Sequence, residues 1–201
     1  MTPFKPIEVL TTLISIRSLS KEEEPALNYM QSILKSYDIS FTTELNNVWA
    51  KNKYFDTNKK TILLNSHLDT VKPNKGYTRD PFQPEIENGK LYGLGSNDAG
   101  GALVTLLGTF LHFFNEKDLP LNLVFAASAE EEISGKNGME FLFPRLPKID
   151  FAIVGEPTLL DIAIAEKGLM VLDCKSIGKS AHAARNEGVN AIYEAIKDIN
   201  W

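Results

Sequence analysis

With 201 residues, 43% of them hydrophobic, the chain can bury a substantial core, which argues against intrinsic disorder. Its formal net charge of -5 and the lack of any dense Lys/Arg cluster exclude a general nucleic-acid binder, or any other protein built for a polyanion. Cys174 is the only cysteine, so an internal disulfide and a cysteine-based zinc site are both excluded, and its place after Leu169-Met170-Val171-Leu172-Asp173 predicts a buried strand cysteine.

The opening Met1-Thr2-Pro3-Phe4-Lys5-Pro6 has no basic segment followed by an apolar one, so no signal peptide is expected and the protein reads as cytoplasmic. Ile7, Leu10, Leu13 and Ile14 have helical spacing and predict a first helix over 7–16. Ser20 precedes Glu23 by three residues, a capping-box pattern, and Ala26, Leu27, Met30, Ile33 and Leu34 form the apolar face of a second helix. Glu22, Glu23 and Glu24 then read as first-turn acids that favour the helix dipole. Segments 39–44 and 48–53 read as strands around an Asn46-Asn47 turn, and 61–66 as a strand buried on both faces. A loop with Pro73, Gly76, Pro81 and Pro84 leads to a hairpin around Asn88-Gly89. Helix resumes after Asp98, and its apolar content from Ala102 to Phe114 predicts burial against a sheet. The longest apolar stretch, Gly100 to Phe114, is too short to span a bilayer as a helix, so no membrane partner is expected, and His112 within it reads as a packed or surface residue. From about Glu166 a strand-like run extends through Ile177, followed by a Gly178-Lys179-Ser180 turn and a helix from about Val189, the beginning of a second domain. Alternation of strands and helices before that point gives an α/β domain containing parallel pairs.

Chemistry gathers where predicted strands end. His67-Leu68-Asp69 follows the apolar run Ile62-Leu63-Leu64, and in an extended segment residues two apart point the same way, so the Asp69 carboxylate can take the second ring N–H of a metal-ligating His67. Glu130-Glu131-Glu132 follows the apolar run 123–127, and Glu156 follows 151–154. In α/β sheets ligands collect beyond the carboxyl ends of strands, so three segments aim at one crevice. The glycine-rich stretch from Gly93 to Gly101 lacks the Lys-Ser/Thr ending of a phosphate-binding loop, does not fit the dinucleotide spacing, and carries Asp98, which would repel phosphate and suits a metal better. One imidazole with several carboxylates fits zinc, with manganese or cobalt as alternatives. Two such ions bridged by Asp98 would clamp a water and lower its pKa, leaving a spare glutamate as general base, though the run of three glutamates leaves the register open. Each piece alone has a plainer reading: a hydrogen-bonded His-Asp pair, a helix N-cap at Asp98, solvated glutamates, a strand end before Pro157. Their joint occurrence at predicted strand ends favours the metal site.

Five motifs in order, Ser66-His67-Leu68-Asp69-Thr70-Val71, Gly95-Ser96-Asn97-Asp98-Ala99-Gly100-Gly101, Ala129-Glu130-Glu131-Glu132, Gly155-Glu156-Pro157-Thr158 and Gly178-Lys179-Ser180-Ala181-His182, resemble those of the dizinc deacylase and exopeptidase family. That family includes acetylornithine deacetylase, succinyl-diaminopimelate desuccinylase and glutamate carboxypeptidase. The resemblance implies an α/β fold: a three-layer αβα catalytic domain with a mixed, largely parallel sheet over residues 1–165, then the start of an α+β lid and dimerisation domain over 166–201. It also implies two Zn2+ ions, replaceable by Co2+ or Mn2+, with His67 and Glu156 on one, Asp98 bridging and Glu132 on the other. Asp69 would support His67, Glu131 would be the general base, and the Asp98-Ala99 peptide would be cis. His182 matches a lid histidine that, in family dimers, reaches the partner's active site to stabilise the oxyanion. The implied activity is hydrolysis of the amide of a small N-acyl amino acid, closest to acetylornithine, by a homodimer when full length. A dipeptidase or carboxypeptidase-type exopeptidase is the nearest alternative. A non-catalytic metal-binding fragment is the alternative of another class, because family members continue for about as long again past Trp201 and there supply a final histidine for the second metal.

Overall fold

The computed structural model describes residues 3–201 apart from Glu166, Leu169, Ala183 and Asn186. Two helices lead, α1 (Pro6–Ser15) and α2 (Glu24–Ser36), each with a proline in its first turn, where a missing N–H leaves no helical bond unmade. The strands β1 (Phe41–Glu44) and β2 (Asn47–Lys51) form an antiparallel pair, and β3 (Thr61–His67) follows. A separate hairpin of β4 (Glu85–Glu87) and β5 (Lys90–Tyr92) turns at Asn88 and Gly89, both at positive φ, as the Asn-Gly signal predicts. A π-type turn (Ser96–Gly101), with non-helical dihedrals at Asp98 and Ala99, runs into α3 (Ala102–Phe113). Then come β6 (Asn122–Ser128), a 3-10 turn (Glu131–Ile133), the short α4 (Met139–Leu142) and β7 (Phe151–Val154). These elements belong to one unit, Met1–Asp161; a second, Ile162–Trp201, carries α5 (Ala191–Ile199).

The five-stranded sheet has the order β1-β2-β6-β3-β7, with β3 parallel to both β6 and β7 and β2 antiparallel to β6. Every residue of β6 is buried, so the period of two feeds two cores rather than one core and a wet face. Leu123, Phe125 and Ala127 join Leu64 under the apolar stripes of the first three helices, including Met30, Leu34, Leu107 and Phe110. Val124 and Ala126 join Leu63 on the opposite face, against Leu142 and Leu146. Helices on both faces of a mixed sheet are the expected α/β architecture. Among the described residues, no helix is long and apolar enough to cross a membrane.

Three local expectations are corrected. Ser20 and Glu23 do not form a capping box: α2 starts at Glu24 with no side-chain cap, because Ser20 Oγ donates to Asp69 Oδ2 at 2.8 Å and Glu23 is turned inward and fully buried. Only Glu24 of the acidic run lies in the first turn. The β1–β2 turn falls at Leu45 and Asn46, not at Asn46-Asn47, since the Asn47 amide donates to the carbonyls of Glu44 and Asn137 and so starts β2. The run beginning near Glu166 forms no strand among the described residues of 162–177, and Cys174 is exposed; Glu166 and Leu169 lie outside the described residues. An apolar alternation becomes a strand only beside another strand, and the described second unit offers one bridge, Lys179 with Val189.

Phe110 is fully buried, its ring centroid 5.8 Å from those of both Phe114 and Phe125. Phe110→Ala removes that contact and leaves a cavity, so it should lower unfolding stability by about 3–5 kcal/mol. A urea midpoint unchanged from wild type would contradict this assignment of the core.

Candidate metal centre

Parallel register brings the strand ends together. His67, the last residue of β3, pairs with Ser128, the last of β6, and Asn65 pairs with Val154, the last of β7. Beyond β7 the chain is tied at Gly155, whose N–H donates to the Asn65 carbonyl at 2.7 Å and whose own carbonyl accepts from Ser66 Oγ at 2.9 Å, and Glu156 follows at once. Asp98 comes from the π-type turn, where the N–H of Gly100 reaches the Gly95 carbonyl at 2.8 Å. A Cβ at Gly100 would meet that same oxygen at 2.5 Å, so the tight turn that aims Asp98 requires glycine there. The Asp98-Ala99 peptide is cis.

The buried His67 ring stands at the centre. Its Nδ1 is 2.9 Å from the Asp69 carbonyl, which can only accept, so Nδ1 carries the proton and Nε2 is left for a ligand. The Asp69 carboxylate is also close, with Oδ1 3.4 Å from Nδ1. On the other side, Nε2 is 3.2 Å from Asp98 Oδ1 and 3.8 Å from both Glu131 Oε2 and Glu156 Oε2. Donor atoms of His67, Glu131 and Glu156 lie within 4.8 Å of one another, and so do those of His67, Asp98 and Glu132.

The glutamate run is held by side chains rather than by a ladder. Four successive backbone N–H groups donate to four side-chain oxygens: Ala129 to Asn47 Oδ1 at 2.9 Å, Glu130 to Glu23 Oε1 at 3.1 Å, Glu131 to Asp69 Oδ1 at 3.0 Å and Glu132 to Asp69 Oδ2 at 3.2 Å. Glu130 sits at φ 53°, which bends the chain out of β6. Its carboxylate turns away from His67 to accept from Asn137 Nδ2 at 2.8 Å. Gly138 lets the returning chain pass: a Cβ there would meet the Ala129 carbonyl at 2.0 Å.

The charges explain what the cluster accommodates. Burial opposes a charged ring at His67, but the hydrogen bond and charge of Asp69, joined by Glu156 and Glu131, outweigh it and hold the pKa up at about 9. Burial also pushes Glu156 up, to about 7, reinforced by Glu131, Asp98 and Glu132 against the opposing pull of His67. Glu132 is raised by burial first and then by the Asp98 charge. For Asp69, burial is outweighed by hydrogen bonds from His67, Ser20 and the Glu131 N–H, and its carboxyl stays below the usual range. Carboxylates crowded until two resist ionisation, around an imidazole whose Nε2 points among them, suit a divalent cation, which relieves the repulsion and displaces the Nε2 proton to take that nitrogen as ligand. The donor set of one nitrogen and several oxygens fits zinc, cobalt or manganese.

The geometry thus gathers His67, Asp69, Asp98, Glu131, Glu132 and Glu156, all six in the first unit. Glu131 lies as near Nε2 as Glu156 does. His182 belongs to the second unit, is exposed, and accepts the Ala184 N–H at Nδ1. His112 is exposed and meets Phe113 edge-on. Sequence reading missed Glu23, Asn47 and Asn137 as supports of the turn; the signals near them, Ser20 with Glu23 and the Asn46-Asn47 pair, carried local explanations.

Residues 63–200 match the family described as Peptidase family M20/M25/M40. Similar curated proteins include a succinyl-diaminopimelate desuccinylase of Wolbachia pipientis wMel, 28% identical, covering 97% of this chain and 53% of that protein. A [LysW]-lysine/[LysW]-ornithine hydrolase of Sulfurisphaera tokodaii is 34% identical over 96% of this chain and 51% of its own length. An acetylornithine deacetylase of Buchnera aphidicola subsp. Schizaphis graminum is 30% identical over 92% and 51%. The chain therefore spans about half the length of the curated relatives it matches. Among solved structures, a tripeptidase from Staphylococcus aureus superposes with a TM-score of 0.65 at 20% identity, covering 97% of this chain and 55% of that one, a likeness of fold. With more than half of its residues matched, and with residues of the first four motifs gathered about His67, the chain belongs to peptidase family M20/M25/M40.

Proposed function

We propose that the full-length protein hydrolyses the amide bond of an N-acyl amino acid, acetylornithine foremost. The observation that carries this reading is the gathering of four carboxylates, from Asp98, Glu131, Glu132 and Glu156, into two overlapping donor groups that share His67. The acyl-amino-acid side rests on the relatives named as deacetylase and desuccinylase. His67 and Glu156 would hold one ion, Glu132 the second, and Asp98 both. Such ions, when bound, polarise a carbonyl oxygen and make water more acidic.

The remaining work falls to the chain itself. Glu131, half exposed and anchored through its N–H, faces the crevice and takes a proton from the attacking water; it returns that proton to the departing amine nitrogen. Asp69 keeps the His67 proton on Nδ1 and anchors the N–H groups of both Glu131 and Glu132, so base and ligand are set from one carboxylate. His182, on the strength of its motif alone, would steady the developing oxyanion in a homodimer. A dipeptidase reading shares every one of these residues and differs only in substrate.

Glu131→Gln in the full-length protein should keep its metal content and lose about 10²–10⁴-fold in kcat. Full activity in that variant would remove Glu131 as base. Hydrolysis of N-acetylornithine without hydrolysis of dipeptides supports the deacylase assignment, and the reverse supports the exopeptidase. Turnover of neither class would leave the non-catalytic metal-binding alternative, and two tightly held metals per chain together with hydrolysis would rule it out.

Metal binding should also be proton-linked. His67 holds its second proton up to about pH 9 and Glu156 up to about pH 7, and an entering cation must displace both. Zinc affinity should therefore rise from pH 6 towards pH 9, with proton release visible in calorimetric titrations in buffers of different protonation enthalpy. A pH-independent affinity without proton release would mean that the ions sit elsewhere.

A further inference from the structure

Behind the metal centre lies a buried carboxylate that the proposed chemistry does not use. Glu23 is 0% exposed, and burying a carboxylate is unfavourable unless its oxygens are matched by donors. Here they are: Oε1 accepts the backbone N–H of Lys21 at 2.6 Å and that of Glu130 at 3.1 Å, while Oε2 accepts Asn46 Nδ2 at 2.7 Å. The bond to Glu130 crosses 107 positions of chain and joins the loop before α2 to the turn that carries Glu131 and Glu132. Glu130 is the pivot of that turn, at positive φ. Asn47 holds the N–H before it and Asp69 the two after it, so Glu23 holds the N–H at the bend itself, while the Glu130 carbonyl takes the Gly135 N–H at 2.8 Å and its carboxylate is tied to Asn137.

We propose that Glu23 is a positioning residue, acting through the Glu130 N–H to set where the Glu131 and Glu132 carboxylates fall relative to His67 and Asp98. This rests on the reading of Glu131 as base and Glu132 as ligand. A helix-dipole role would need neither burial nor a contact with Glu130.

The test uses the full-length, metal-loaded protein. Glu23→Ala should lower kcat by about 10–100-fold with KM nearly unchanged, alter the visible spectrum of the cobalt-substituted protein, and speed amide exchange at residues 129–132 while α3 keeps its protection. Glu23→Gln keeps one carbonyl oxygen for the two backbone N–H groups, and the half-buried Asn46 amide can turn its oxygen to the new NH2; kcat and spectrum should return towards wild type. Wild-type kcat and cobalt spectrum in Glu23→Ala would overturn the proposal. So would a loss of protection spread equally over α3 and not rescued by Gln, which marks a purely structural role. If the Ala variant does not fold, Glu23→Asp retains the charge and withdraws the oxygens by one methylene, and an unchanged spectrum and exchange pattern there would overturn the proposal equally. Exchange and spectrum need no turnover, so they judge the anchor even if an active Glu131→Gln removes the base assignment.

Discussion

The parallel pairing of β3 with β6, unbroken from Thr61 beside Asn122 to His67 beside Ser128, is the constraint on which the site depends. Strand side chains alternate faces, so a slip of one residue would turn His67 to the opposite side and exchange Leu63 for Leu64 between the two cores. Two buried asparagines hold the register from opposite ends. At the start, the Asn122 side chain accepts the Asp56 N–H at 2.9 Å and donates to the Asp56 carbonyl at 2.7 Å, clasping the loop that enters β3. Near the end, Asn65 Nδ2 donates to the Ala126 carbonyl at 3.2 Å and to Ser128 Oγ at 3.1 Å. Each amide is worth little as a net hydrogen bond, about 1 kcal/mol, but a slipped register would leave it buried and unmatched, which costs more.

Where the ladder stops, side chains take over. Past Ser128 the four N–H groups of residues 129–132 lie beyond the last sheet partner, and polar oxygens from the loop before α2, from β2 and from the residue two past His67 receive them. Glu131 and Glu132 therefore sit on backbone fixed by other acids behind it. This separation keeps the front of the cluster available to a cation, since Glu23 and Asp69 are occupied with donors while the Asp98 and Glu131 side chains remain about half exposed.

Periodicity made the layers legible: the stripe on α2, the burial of β3 on both faces and the hairpin at Asn88-Gly89 follow from apolar patterning and from φ preferences, which are local. The convergence of His67, the glutamate run and Glu156 was legible too, because parallel strands share their carboxyl ends. Ser20 and Glu23 were not. Their spacing satisfies a capping box, and only the tertiary contacts to Asp69 and Glu130 decide that those oxygens look inward. Asn47 escaped for the same reason, its turn propensity being overridden by bonds to Ala129 and Asn137. The apolar run towards Ile177 shows the converse: β propensity alone makes no strand where a neighbouring ladder is lacking among the described residues.

Asp69 is the residue where these two levels meet. One oxygen takes the Glu131 N–H and faces His67 Nδ1; the other takes the Glu132 N–H and the Ser20 hydroxyl. Such a carboxylate is well matched although buried, which is why its pKa falls while those of Glu132 and Glu156 rise. The same charge that keeps the His67 proton on the far nitrogen also fixes the backbone of the acids on the near side. Ring orientation and the backbone of Glu131 and Glu132 are consequently coupled through this one residue, and a shift of Asp69 reaches the imidazole and both glutamates together rather than any one of them alone.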